Sequence, residues 1–244
     1  MGSKYEFTNE TMIQDGHTLH RIRRLSDNKL GGWIETEENL SQDGNCWVDD
    51  NAKVYDNARV IGNAKVFDNA TVYGEAKVYA YAQICDDAEV YDNAQVYDTA
   101  KVYDGAKVYG NAQVYCNARV FDTACISDSA EVYGNAKVYG SSKVFGEACV
   151  YGNAKVLLDA QVYGNAQVSG NALISDSAEV YDDADIYDEA YVCGEAKVYG
   201  NAFVYGNAEV DSTEVYGNTR LRGNIRNIYY GRWYFSWWLW KLLL

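Results

Sequence analysis

The chain has no proline, only two histidines and two methionines in 244 residues, and no Cys-x-x-Cys pair among its six cysteines. Without proline, sharp bends have to come from residues that tolerate unusual backbone angles, chiefly Gly and Asn. Cys46, Cys85, Cys116, Cys125, Cys149 and Cys193 lie far apart, as expected of reduced thiols substituting for small residues rather than of a disulfide framework. Positive charge is short as well: 21 Lys and Arg stand against 35 Asp and Glu, for a net charge of −14. That imbalance opposes nonspecific attraction to nucleic acid phosphates and to anionic membrane, so neither is an expected partner. No apolar stretch follows the first basic residue, which makes the cytoplasm the expected compartment, and Glu6 stands where a myristoylation motif needs Ser or Thr.

What the chain has instead is a period of six. From position 46 to 208, every sixth residue is Ala in 26 of 28 slots, the exceptions being Cys46 and Ser142. Two residues after each slot stands Val, or Ile at Ile84, Ile126, Ile174 and Ile186. The unit reads Ala-x-Val-Tyr-(Asp/Gly)-Asn. Side chains alternate across a strand, so Ala and Val share the inward face while x and Tyr share the outward one. The Asp/Gly-Asn pair supplies the corner. Identical inward patterns in strands of one direction exclude a hairpin meander and require a coil in which neighbouring units bury a continuous core. Three rungs of six residues make an 18-residue coil, and the Ala–Val repeat spans about nine triangular coils at about 4.8 Å per coil. The expected fold is therefore all-β, a single-stranded parallel β-helix over residues 46–221.

Residues 1–45 lack the repeat, and the segment around Asp15-Gly16 reads as a β-hairpin capping the coil. Near the other end the spacing falls from six to five between Val210 and Val215. Residues 222–244 hold Trp233, Trp237, Trp238 and Trp240 in a stretch too short for an ordinary transmembrane helix. They are expected to cap the open end of the rod, with an oligomer contact or insertion at a membrane interface as the alternatives.

The Ala-x-Val rungs resemble those of the hexapeptide-repeat left-handed β-helix proteins, the trimeric LpxA-like fold. Leu30-Gly31-Gly32-Trp33-Ile34-Glu35, with Gly44-Asn45-Cys46-Trp47-Val48, is similar to the entry region of bacterial and prophage-borne members often named transferases. The resemblance implies left-handed coiling and trimer formation. Many hexapeptide acyltransferases use a His as general base, and hexapeptide carbonic anhydrases hold zinc with three His. Here His17 and His20 both lie in the N-terminal hairpin, so neither pattern transfers to the repeat, and no catalytic, cofactor-binding or metal-binding residue is assigned.

Outward positions 18 residues apart define columns. One runs Lys65, Gln83, Lys101, Arg119, Lys137, Lys155, and beside it a corner column runs Asp68, Asp86, Asp104, Asp122. The Lys and Asp ladders are expected to neutralise each other, with an anionic partner on the Lys stripe, or a divalent cation on the Asp ridge, as alternatives. Two Tyr columns, Tyr55, Tyr73, Tyr91, Tyr109 and Tyr79, Tyr97, Tyr115, Tyr133, Tyr151, form long amphipathic strips suited to packing and to self-assembly as a trimer or side by side. The leading functional expectation is a noncatalytic structural scaffold or binding rod acting through this repetitive surface. An acyltransferase-like enzyme and an acidic mimic of nucleic acid are the alternatives.

Overall fold

A computed structural model describes residues 2–222. The aromatic residues Trp233, Trp237, Trp238 and Trp240 lie outside the described residues. Strands β1 (Tyr5–Gln14) and β2 (His17–Arg24) form an antiparallel hairpin that turns at Asp15-Gly16, where both residues have positive φ. Strand β3 (Leu30–Ile34) pairs antiparallel with β2 on one side and parallel with Lys53–Val54 on the other, so it joins hairpin to coil.

From there the chain winds through three parallel sheets, with each strand hydrogen-bonded to the one 18 residues later. We name the faces by their early strands: the first begins with Lys53–Val54, the second with Arg59–Val60, and the third with Trp47–Val48 and Lys65–Val66. The solenoid has about 11 turns of about 18 residues. This exceeds the nine expected from the Ala–Val repeat because non-repeat segments join the stack at both ends. At the start, Leu30–Ile34 and a bridge from Leu40 to Val60 supply a first coil with a different sequence. Its Gly31 and Gly32 are obligatory: a Cβ at Gly31 would lie 2.6 Å from the Trp47 ring and 2.7 Å from the Val48 carbonyl oxygen, and one at Gly32 2.6 Å from the Ala52 carbonyl oxygen. At the other end, the shortened rung does not stop the coil. Glu214–Val215 still pairs with Lys197–Val198, and Arg220–Arg222 with Phe203–Tyr205.

The inward Ala and Val or Ile side chains are sealed from solvent along the whole repeat, as is Ser142, whose hydroxyl donates to the Tyr139 carbonyl at 2.9 Å in the one buried slot that holds a polar group. The corners are β-turns in which the Ala N–H reaches back to the Tyr carbonyl, as from Ala94 to Tyr91 at 3.2 Å. Positive φ falls on the first corner residue of every rung from Asp50 to Ser212, and never on the following Asn. Gly and Asp dominate this slot because Gly has no Cβ to clash and Asp is among the few L-residues that enter the left-handed region readily. The Asn side chains do something else. Asn117, Asn135, Asn153 and Asn171 pass amide hydrogen bonds from coil to coil at 3.1–3.2 Å.

The corner Asp has a second role, which explains the Asp column. The corner N–H has no ladder partner, and the Asp carboxylate of the preceding coil accepts from it. Asp68 accepts from Asp86, Asp86 from Asp104, Asp104 from Asp122, and Asp122 from Gly140, over 2.9–3.4 Å. The same bond recurs on the other corners, for example from Gly110 to Asp92 and from Gly200 to Asp182. Stacked carboxylates are thus separated by amide donors, a more direct compensation than a neighbouring Lys ladder.

Two substitutions follow. Ala118→Leu forces a larger side chain into a fully buried slot and should lower unfolding free energy by roughly 1–3 kcal/mol in a denaturant titration. Leu158 occupies a corner at φ 61° with its side chain largely exposed. Leu158→Asp should raise stability by about 1 kcal/mol, by relieving the left-handed penalty and capping the N–H of Asp176, while Leu158→Ala should gain less.

Candidate interaction surface

Two kinds of surface distinguish themselves from the regular rod: a polar clasp where the hairpin meets the first coil, and the outward columns. His17 opens β2 and projects beside the first corner. Its Nδ1 lies 3.0 Å from Glu35 Oε1 and its Nε2 3.2 Å from Asp56 Oδ1. The other Glu35 oxygen accepts the corner N–H of Asp56 at 2.8 Å, which is the capping that corner Asp residues perform in later coils. The Tyr55 hydroxyl donates to Asp15 at 2.9 Å, and the His17 ring lies over Tyr55 with centroids 5.1 Å apart. His17 therefore closes the top of the first Tyr column. Sequence reading placed it on the surface of the hairpin and missed this, because the contact joins residues 38 apart through a turn that no repeat announces. His20 packs against Phe7 instead.

The Glu35 hydrogen bond, with Asp56 behind it, raises the His17 pKa above that of a free imidazole. Burial alone would raise Glu35, but the bonds from His17 and the Asp56 amide outweigh it and lower its pKa. One donor atom each from His17, Glu35 and Asp56 lies within 4.8 Å of the others, a set a metal ion could use, yet both imidazole nitrogens face carboxylates and the imidazolium satisfies the group by itself. A second such set, Asp68, Cys85 and Asp86, is poor for a metal: burial and then the flanking carboxylates push the Cys85 thiol up to about 12, so the thiolate is scarce at neutral pH.

The outward columns stand where the sequence places them. Tyr55, Tyr73, Tyr91 and Tyr109 stack at 4.9–5.2 Å within 7° of parallel, and Tyr79, Tyr97, Tyr115, Tyr133 and Tyr151 at 4.7–4.9 Å. A third stack, Tyr103, Phe121 and Tyr139, escapes attention in the sequence because Phe67, Cys85 and Leu157 dilute it. Ring faces are consumed by neighbouring rings, so the columns offer edges and hydroxyls outward. Burial in the stack raises the Tyr73 and Tyr97 phenols to about 12, which keeps them neutral and makes them unsuited to proton transfer near neutral pH. The hydroxyls bond to the next coil, as from Tyr97 to Gln113 at 3.2 Å and from Tyr115 to Glu131 at 2.8 Å.

The basic column occupies the third face in strict register, with Lys65 opposite Gln83, then Lys101, Arg119, Lys137 and Lys155. It is not neutralised by the Asp corner. The ion pairs of the described coils, Lys107 with Glu89 and Lys197 with Glu179, are both on the first face. At the head of the third face, Arg24 lies over the Trp47 ring at 4.6 Å, Lys29 is ion-paired with Asp49, and Arg24, Lys29, Trp47, Asp49, Asp50 and Lys65 line a groove. Among the described residues no helix is long and apolar enough to cross a membrane.

Because the His17 pKa is raised in the folded chain, its contribution to stability is full below the free value near 6.5 and is lost as pH rises through the higher folded value. NMR titration should find His17 titrating above a free imidazole, and His17→Gln should abolish the loss of thermal stability as pH rises through the folded value.

Residues 82–98 and 166–182 match the family model described as YdcK Beta solenoid repeat. The two segments begin a whole number of rungs apart but on different faces, so the likeness is to the rung rather than to a particular coil. No curated protein matches the chain. The chain is a repeat β-solenoid protein, similar over those two segments to the YdcK beta solenoid repeat.

Proposed function

We propose that the protein is a noncatalytic rod that engages partners, including copies of itself, through its repetitive outer faces. The observation that carries this reading is the run of two- and three-residue strands from Trp47 to Arg222, which repeats the same outward positions on each face at every coil and extrudes no loop among the described residues. A solenoid enzyme needs a place where the repeat is broken to gather unlike groups. Here the unlike groups gather at the hairpin, and the His there is held by two carboxylates. The hexapeptide likeness of the rungs favours left-handed coiling and, with the stacked Tyr edges, a trimer or side-by-side assembly.

Two measurements on the full chain test this. Incubation with radiolabelled acetyl-CoA and a mixed extract of small-molecule acceptors should give no transfer of label above background. Turnover that tracks the purified protein and disappears in His17→Gln would overturn the noncatalytic reading in favour of the acyltransferase one. Analytical ultracentrifugation should show a concentration-dependent assembly, and Tyr97→Ser with Tyr133→Ser should weaken it; a monomer at all concentrations would remove self-association from the proposal.

A further inference from the structure

The three faces use the same rung and differ only in what x carries. The first face interleaves acidic, basic and neutral residues and pairs Lys107 with Glu89 and Lys197 with Glu179, while its Lys53 and Lys143 stand isolated from one another without an ion pair among the described residues. The second mixes Lys77, Gln95, Gln113 and Glu131. On the third, Lys101, Arg119, Lys137 and Lys155 follow one another on four successive coils, Lys65 stands two coils above Lys101, and none of the five makes an ion pair among the described residues. An acidic protein thus maintains a row of like charges at the spacing of stacked strands, about 4.8 Å, where they repel one another.

We propose that this face binds a linear acidic polysaccharide laid along the rod axis, its carboxylates pairing with the row of Lys101, Arg119, Lys137 and Lys155. The inference rests on the binding-rod reading above and names its partner. Spacing and width select the partner. An extended acidic peptide advances roughly 3.3 Å per residue, so its carboxylates drift out of register with the coils within two rungs. Phosphates along one strand of a DNA duplex recur at about 3.4 Å, and the wide duplex would overhang the Asp68, Asp86, Asp104 and Asp122 corner that borders the stripe. Single-stranded nucleic acid gains affinity by stacking bases on exposed aromatic faces. The neighbouring stack of Tyr103, Phe121 and Tyr139 has its faces closed by one another at 4.7–5.0 Å, so it offers only edges. A chain of linked uronic acid rings carries one carboxylate per ring at an axial rise close to one coil, with successive carboxylates turned to different sides, and is narrow enough to lie between the corners, where long Lys and Arg side chains reach around it. The groove at the head of the stripe is not part of this site: Asp49 and Asp50 line it, Lys29 is paired with Asp49 and Arg24 with Asp27.

The test is calorimetric titration of the full chain with sodium polygalacturonate at about 50 mM and about 200 mM salt. Binding is expected at the lower salt, weakening steeply at the higher, with no heat from the fully methyl-esterified, neutral polymer. Lys101→Glu with Lys137→Glu should weaken binding by about tenfold or more, whereas Lys53→Glu with Lys143→Glu on the first face should leave it within about twofold. Circular dichroism melts confirm that both variants fold; if the charge reversal does not, Lys101→Gln with Lys137→Gln replaces it and should still weaken binding severalfold. The proposal fails if polygalacturonate does not bind at the lower salt, if first-face and third-face variants lose affinity equally, or if single-stranded RNA or poly-glutamate binds more tightly than polygalacturonate. Such failures leave the absence of acetyl transfer untouched, so they are distinguishable from failure of the noncatalytic reading.

Discussion

Everything in this rod depends on one residue per rung adopting left-handed backbone angles. Without that corner, a strand two residues long could not turn within two more residues and return to the same inward pattern. Gly meets the demand by lacking a Cβ, and Asp meets it at some conformational cost that its carboxylate offsets by capping the corner N–H of the next coil. The cap also fixes register, since an Asp one residue out of place would leave that N–H bare. Corner chemistry and the 18-residue stack are the same constraint seen from two sides.

Inside, the constraint leaves room only for Ala and Val or Ile, and the exceptions are small. Outside, it hands every coil three positions that fold stability hardly restricts, and the three faces have diverged there. The first pairs some of its charges, the second mixes them, and the third sets cations in a row. A regular scaffold with face-specific side chains differs in kind from a pocket. It presents a repeated pattern, and what suits such a pattern is a partner with a matching repeat.

The architecture was legible in the sequence because its signals are local. The Ala–Val alternation, the corner pair and the Asp15-Gly16 turn each act within six residues and each stands where it was read, except that the positive φ of the corner falls on its first residue, mostly Asp or Gly, and not on the Asn. What was not legible depends on residues brought together by stacking. Leu30–Ile34 joins the first coil without an Ala–Val rung because Gly31 and Gly32 fit against Trp47, Val48 and Ala52. The Asp column looked like a counterweight to the Lys column, whereas its partners are backbone amides one coil away. His17 looked incidental, and it is the residue that ties the hairpin to Glu35, Asp56 and the first Tyr column.

The most direct test of the account is residue-resolved amide hydrogen exchange at the corners. A corner amide that follows an Asp corner by one coil, such as those of Asp104, Asp122 and Gly140, should be protected, while Gly152, Gly164 and Gly170, which follow Gly134, Gly146 and Gly152, should exchange fast. Protection that ignores the residue one coil earlier would contradict both the capping bond and the register on which the three faces depend.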